Sequence, residues 1–437
     1  MKRLHRLLAA LCALLVLCPA AALTASADVN YALPEGTSVS AQSAMVVYLG
    51  STPEQDAVLF EKDAERVSGP AALVRMMVGA VALREIKAQG LDMDATTGTY
   101  TSKLFYGYIG GTGLSVANMA VGETWTLRDL LTTSLIVTAA DAAVTLAETV
   151  CGSVEAFVEK MNALAEELGC EATSFANVTG IDSLAQYTTA RDLYRITRYA
   201  MSFAEFEALI ARSQHTVTPV SGGTKRTFVT TNNMMRSSTS QYYAPMVFGR
   251  AGYTGSSGWS LLSLARDSGY EYMVIVLGCE SGAHYTDTRT LYRWAFNNFV
   301  YDILLSREET VAHLPVELAW NKDRVALVPA QELTAVVHKN LTADGITRRG
   351  TLYTTSLDAP VKKGAVYGKV ELITNVDQVI GEVELVAAES LEKSDVLVAW
   401  RFVLRVLRSP WLYVSAGSLL VLFVIVAVLK NSGKRRR

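Results

Sequence analysis

Residues 69–83, GPAALVRMMVGAVAL, read as the start of a helix. Ser68 stands where a cap would sit, Pro70 falls in the first turn, and apolar residues follow at helical spacing. The pattern predicts a helix from about Pro70 to Ala88.

The flanking segments alternate in character. Upstream, SAMVVYLGS (43–51) and AVLFEKDAE (57–65) predict two strands with a turn at TPEQ (52–55). Downstream, TLRDLLTTSLIVTAADAAVTLAETV (126–150) predicts two helices broken near Thr138–Asp141, with Asp141 as a helix cap. SVEAFVEKMNALAEEL (153–168) and TTARDLYRITRYAMS (188–202) predict further helices. From TFVTTNNMM (227–235) to VIVLGC (274–279) the runs are β-type, with a turn at RDSGYE (266–271). YTDTRTLYRWAFNNFV (285–300) predicts a closing helix. Helices in the middle and strands at both ends fit an α+β domain with one main sheet, about residues 28–303. After Glu308, short β-type runs such as VAHLPVELAW (311–320) and GAVYGKVELIT (364–374) predict a small all-β domain over 308–392.

The termini carry two apolar segments. Lys2, Arg3 and Arg6, the apolar run Leu7–Cys18 and Ala25-Ser26-Ala27 predict a signal peptide over residues 1–27. Residues 411–429, WLYVSAGSLLVLFVIVAVL, hold no charge and would span roughly 28 Å as a helix. The tail 430–437 carries Lys430, Lys434 and Arg435–Arg437. A membrane-spanning helix is expected, with the basic tail cytoplasmic and the bulk of the chain outside the cell. In 396–409, Arg401, Arg405 and Arg408 recur at helical spacing beside Trp400, Phe402 and Leu407. Two readings stand: a helix on the outer membrane surface, or a charged juxtamembrane extension.

Lys+Arg 40 against Asp+Glu 42 argues against a globally basic, nucleic-acid-coating surface. The five histidines are scattered without ligand spacing, so neither metal nor cofactor is expected. The helix predicted between Cys151 and Cys170 separates its ends by roughly 24 Å. A disulfide needs Cα atoms within about 7 Å, so the two are expected not to pair.

The chain resembles the membrane-bound D-alanyl-D-alanine carboxypeptidases, the low-molecular-mass penicillin-binding proteins of the serine β-lactamase/D,D-peptidase fold. The likeness covers nearly the whole exported chain: residues 121–148, FVEKMNALAEELGCEATSFANVTGID (157–182), TTARDL (188–193), FGRAGYTGSSGWSLLSLA (248–265), YTDTRTLYRWAFNNF (285–299) and LDAPVKKGAVYGKVEL (357–372). The family site is built from Ser-x-x-Lys at a helix start, Ser-x-Asn on a loop, and Lys-Thr-Gly on a strand. The serine attacks, the lysine takes its proton, and the third element holds the substrate's terminal carboxylate.

Laid on this chain, the first element falls on Ala72-Leu73-Val74-Arg75, the second on Thr138-Ala139-Ala140, and the third on Arg250-Ala251-Gly252. Ala72 has no nucleophilic atom, and Arg75 keeps a charge but stays protonated. Ala140 has lost the amide and Ala251 the hydroxyl. Thr254 stands where the family often has threonine. In another serine hydrolase, loss of the nucleophile costs about 10⁶ in kcat. The resemblance with these changes implies a pseudoenzyme of peptidoglycan metabolism that binds stem peptides, with Arg75, Thr138, Arg250, Gly252 and Thr254 as candidate ligand-binding residues, or docks onto cell-wall proteins through the β domain. Arg75 and Arg250 fit either a cationic pocket for a carboxylate or structural pairing with neighbouring acids. The alternatives are an active serine-type carboxypeptidase, with Ser68 one helical turn upstream as the stand-in nucleophile, and a structural partner without a pocket.

Overall fold

The computed structural model describes residues 30–340, 346–374 and 379–434. The expected signal peptide lies outside the described residues. The chain forms two compact units: residues 30–301 with 336–340, and residues 302–335 with 346–434.

The larger unit is built on a five-stranded antiparallel sheet of β1 (Ser43–Tyr48), β2 (Ala57–Lys62), β3 (Met246–Thr254), β4 (Gly258–Asp267) and β5 (Tyr270–Cys279), in the order β2-β1-β5-β4-β3. The first strand therefore lies beside the fifth, Met45 opposite Ile275 and Val47 opposite Met273. Successive side chains on a strand face opposite sides. Met45, Val47, Leu262, Met273 and Ile275 accordingly enter one core, while Ala44, Val46, Leu261, Val274 and Val276 enter another.

The first core is filled by α1 (Val74–Gln89). Its buried residues run almost without a break from Val74 to Leu83, as expected of a helix enclosed on all sides. Around it stand α2 (Leu127–Val137), α3 (Ala140–Cys151), α4 (Val154–Glu167) and α5 (Ala190–Ala200). Three of these begin at side-chain caps: Thr126 accepts from the Asp129 amide, Ser153 from Ala156 and Thr189 from Asp192. The second core is closed by α6 (Ala283–Asn298), which buries Leu291, Tyr292, Trp294 and Ala295 against the sheet.

Three sequence expectations need correction. The helix does not start at Pro70: Ala71–Leu73 form a 3₁₀ turn, and α1 proper begins at Val74. The cause is Ala71, held at φ +46°, which breaks the helical path. Ser68 is not a cap; its amide and carbonyl pair with those of Thr188, each at 2.8 Å. Asp141 is likewise not the cap of α3, a position held by Ala139. Its carboxylate accepts from the amides of Ala117, Met119 and Ala142, which pins the preceding loop. The break between α2 and α3 falls at Thr138, and the three described cysteines are free.

The smaller unit contains a six-stranded sheet in the order Ile346–Leu352, Val366–Thr374, Val379–Ala387, Arg324–Pro329, Ala312–Glu317, Leu357–Asp358. It continues into α7 (Asp395–Leu407) and α8 (Pro410–Lys434). Arg401 on α7 holds both Asp358 carboxylate oxygens at 2.9 Å and Glu317 at 2.5 Å. Among the described residues no single helix is long and apolar enough to cross a membrane. The pair 395–407 and 410–426, bent by 57°, passes that test of length and composition together.

Candidate active-site cleft

Three backbone segments clasp the start of α1. Gly180, at φ +79°, packs so tightly on the turn that an added Cβ would lie 2.4 Å from the Ala71 carbonyl oxygen. From the other side Gly252 of β3 approaches the Ala72 amide, where an added Cβ would stand 3.0 Å away. Neither position admits a side chain without displacement of the turn. Thr138 supplies the third segment. It ends α2 in the left-handed region, φ +58°, an uncommon conformation for a β-branched residue. Its hydroxyl donates to the Val137 carbonyl at 2.6 Å.

These segments enclose a cleft of about 500 Å³. Ala72, Arg75, Thr138, Ala251, Gly252 and Thr254 all line it, so the three sequence elements converge on one space. Two expected site residues do not reach it. Ala140 is fully buried, its amide donating to the Ser115 carbonyl at 2.8 Å. Arg250 lies behind the wall, 0% exposed. Trp259 and Tyr285, which complete an aromatic wall, are absent from the sequence-derived set. Trp259 stacks on the buried His284, ring centroids 4.8 Å apart and planes 7° apart. Both were visible only as members of a strand and a helix; their convergence is set by how α6 lies on β4. Thr231, Ser115 and Asp182 also line the cleft without any local signal.

Neither buried arginine pairs with an acid among the described residues. Arg75 donates from Nη2 to the carbonyls of Thr138 (3.1 Å) and Thr179 (3.2 Å), and from Nη1 to Val178. Arg250 donates from Nη1 to the Ile136 carbonyl at 2.6 Å and to the Thr231 hydroxyl at 3.3 Å. Burial lowers the pKa of Arg75 to about 10, Asp141 opposing, and that of Arg250 to about 9, with the Arg75 charge pushing the same way. Both remain cationic at neutral pH, so Arg75 cannot accept a proton there.

Residues 29–281 match the D-alanyl-D-alanine carboxypeptidase family, more than half of the chain. The chain belongs to the D-alanyl-D-alanine carboxypeptidase family. Residues 303–393 match the C-terminal domain of penicillin-binding protein 5. The chain is 24% identical over 341 residues to D-alanyl-D-alanine carboxypeptidase DacF of Bacillus subtilis, covering 77% of this chain and 83% of that one. It is 28% identical over 331 residues to DacD of Escherichia coli, covering 74% and 80%. Among solved structures, penicillin-binding protein 5 of Haemophilus influenzae aligns with TM-score 0.63 and 21% identity, over 83% of this chain and all of that one. That likeness establishes the fold.

In this carboxypeptidase-family chain the cleft's chemical groups are few. Its hydroxyls come from Ser115, Thr138, Thr179, Thr231, Tyr253, Thr254 and Tyr285, and among the described residues no lysine or histidine lines it. Asp182 is the lining carboxylate, and it accepts from Ser256 at 2.7 Å. The Thr254 hydroxyl is committed to Ser257 at 2.8 Å. Ser68 lines a neighbouring pocket of about 310 Å³ rather than the space beside Ala72. What the arrangement offers is a polar, partly aromatic recess with one guanidinium, that of Arg75, in its wall.

Proposed function

We propose that the chain is a membrane-tethered D-alanyl-D-alanine carboxypeptidase homologue that no longer catalyses, and that its cleft binds peptidoglycan stem peptides. One observation carries this reading. The three motif-equivalent segments line one cleft, with left-handed backbone at Ala71 and Thr138, and Ala72 stands where the resemblance puts the nucleophile. Backbone strain of this kind costs on the order of 1–3 kcal/mol per residue and persists where the surroundings enforce it. The missing nucleophile alone corresponds to about 10⁶ in kcat by comparison with another serine hydrolase. Arg75 cannot replace a lysine base, because its donors serve three carbonyls and its proton stays in place.

Tethering rests on α8, whose apolar side chains Trp411, Leu419 and Phe423 are 66–78% exposed. The bulk of the chain would then lie outside the cell, with cell-wall proteins as further partners. Titration of the full chain in detergent with a pentapeptide ending in D-alanyl-D-alanine tests the proposal. Saturable binding without D-alanine release is expected. Release that grows with protein concentration and disappears on Ser68→Ala would instead identify an active serine-type carboxypeptidase. No saturable binding would leave a structural partner.

A further inference from the structure

The six-stranded sheet of the smaller unit has two edges, and they are finished differently. One edge is the two-residue strand Leu357–Asp358, clamped by Arg401 of α7. The other is Ile346–Leu352, ITRRGTL, exposed along its length except at half-buried Ile346. It pairs with Val366–Thr374 without a bulge, from Ile346 opposite Thr374 to Leu352 opposite Gly368. Natural edges are blunted by shortness, proline, bulges, charge or a cover, because bare N–H and C=O groups recruit another strand. This edge is long and regular, holds no proline, and is covered by nothing among the described residues. Its two charges are met within the unit: Arg348 pairs with Glu309, and Arg349 lies opposite Glu371. The Tyr353 amide donates to the Tyr367 carbonyl at 2.9 Å, which fixes the phase of the ladder. Opposed residues of antiparallel strands alternate between bonded and non-bonded pairs. Thr347, Arg349 and Thr351 therefore bond inward, and Ile346, Arg348, Gly350 and Leu352 turn their backbone groups outward.

The side chains of this edge complement themselves. A second copy turned about a two-fold axis at Arg349 sets Ile346 opposite Leu352, Thr347 opposite Thr351 and Arg348 opposite Gly350. The first pair is apolar with apolar and the second hydroxyl with hydroxyl, both favourable across strands. In the third, Gly350 leaves room for the long side chain, since an added Cβ there meets nothing within 4 Å. The backbone phase agrees. Every outward-turned residue meets an outward-turned residue of the copy, so each such pair exchanges two hydrogen bonds. The one like-charged pair is Arg349 with its copy on the axis, and each of these arginines has Glu371 opposite it on its own inner neighbour. We propose that two copies of the chain join through this edge, their strands 346–352 pairing antiparallel about Arg349, so that two six-stranded sheets become one. This inference is independent of the cleft and of what the cleft binds.

A strand pair is a small interface beside the roughly 1,200 Å² of a standard complex, so the dimer is best read by trapping it. The test is mild oxidation of the full chain in detergent, with the linkage mapped by mass spectrometry and the unsubstituted chain as baseline. In the proposed register the two residues at 349 form a non-bonded pair with Cα atoms roughly 4.5 Å apart, within disulfide reach. Arg349→Cys should therefore give a dimer linked 349 to 349. Two copies of residue 347 stand roughly 14 Å apart along the strands, beyond that reach. Thr347→Cys alone should link roughly tenfold more slowly than Arg349→Cys, and so should Thr351→Cys alone, whereas a mixture of the two should link 347 to 351. Gly350→Pro in the Arg349→Cys chain removes only an outward-turned amide and should slow the linkage roughly tenfold. Equal rates for Arg349→Cys and Thr347→Cys, or a mixture that links no faster than its components, would overturn the proposal. So would linkage unaffected by Gly350→Pro. Should the proline variant fail to fold, the comparison among the cysteine variants decides alone.

Discussion

Ala72 keeps its place in the cleft because the backbone on either side of it is gripped, by Gly180 at the Ala71 carbonyl and by Gly252 at the Ala72 amide. The grip is steric, and it makes a sharp prediction. Gly180→Ala adds a Cβ 2.4 Å from a carbonyl oxygen at a residue held at φ +79°. It should cost roughly 3 kcal/mol in denaturant unfolding, whereas a loss under 0.5 kcal/mol would mean that the turn is loose. Ala72, Arg75, Thr138 and Gly252 were legible in the chain because each sits at a fixed offset from neighbours that set its register. The left-handed turn at Ala71 was not, because a distant loop imposes it. The fate of the arginines was also hidden. Residue type announces a charge, but what meets it depends on segments distant in the chain, such as Ile136 for Arg250 and Val178 for Arg75.

Between the sheet and α6 sits His284, 1% exposed, stacked on Trp259 and with neither ring nitrogen hydrogen-bonded within the protein. Burial lowers its pKa to about 4, with Asp287 opposing. As pH falls from about 6.5 to 4 the unfolded chain takes up a proton that the folded chain refuses, so stability falls with pH across that window. His284→Phe keeps the stacked ring and removes the titration. Between pH 7 and pH 4 the variant should lose less stability than the unsubstituted chain, by roughly 3 kcal/mol. Equal losses, measured by urea unfolding at both values, would show that His284 is protonated in the fold. Element types on both sides of this contact follow from periodicity, and the break between α2 and α3 falls at Thr138, within the expected 138–141 stretch. The start of α1 was misread because Pro70 is as acceptable in a 3₁₀ turn as in a first helical turn.

At the scale of the molecule, composition located the apolar C-terminal segment, and the succession of helix and strand patterns separated the α+β region from the all-β one. The 57° bend between α7 and α8 was not apparent from either. Arg401, clamped to Glu317 and Asp358, fixes α7 to the six-stranded sheet and leaves α8 extending from it. Truncation before Pro410 should move the protein from the membrane fraction to the soluble fraction and leave the thermal unfolding of the larger unit unchanged. Membrane retention of the truncated chain would place the anchor in α7. The central claim is that the cleft survives without its nucleophile, and the most direct measurement is the intact mass of the purified full chain after incubation with a β-lactam. An unmodified mass is predicted, with an Ala72→Ser, Arg75→Lys variant run beside it under the same conditions. A β-lactam adduct on the unsubstituted chain, mapped to a hydroxyl that lines the cleft, would contradict the account.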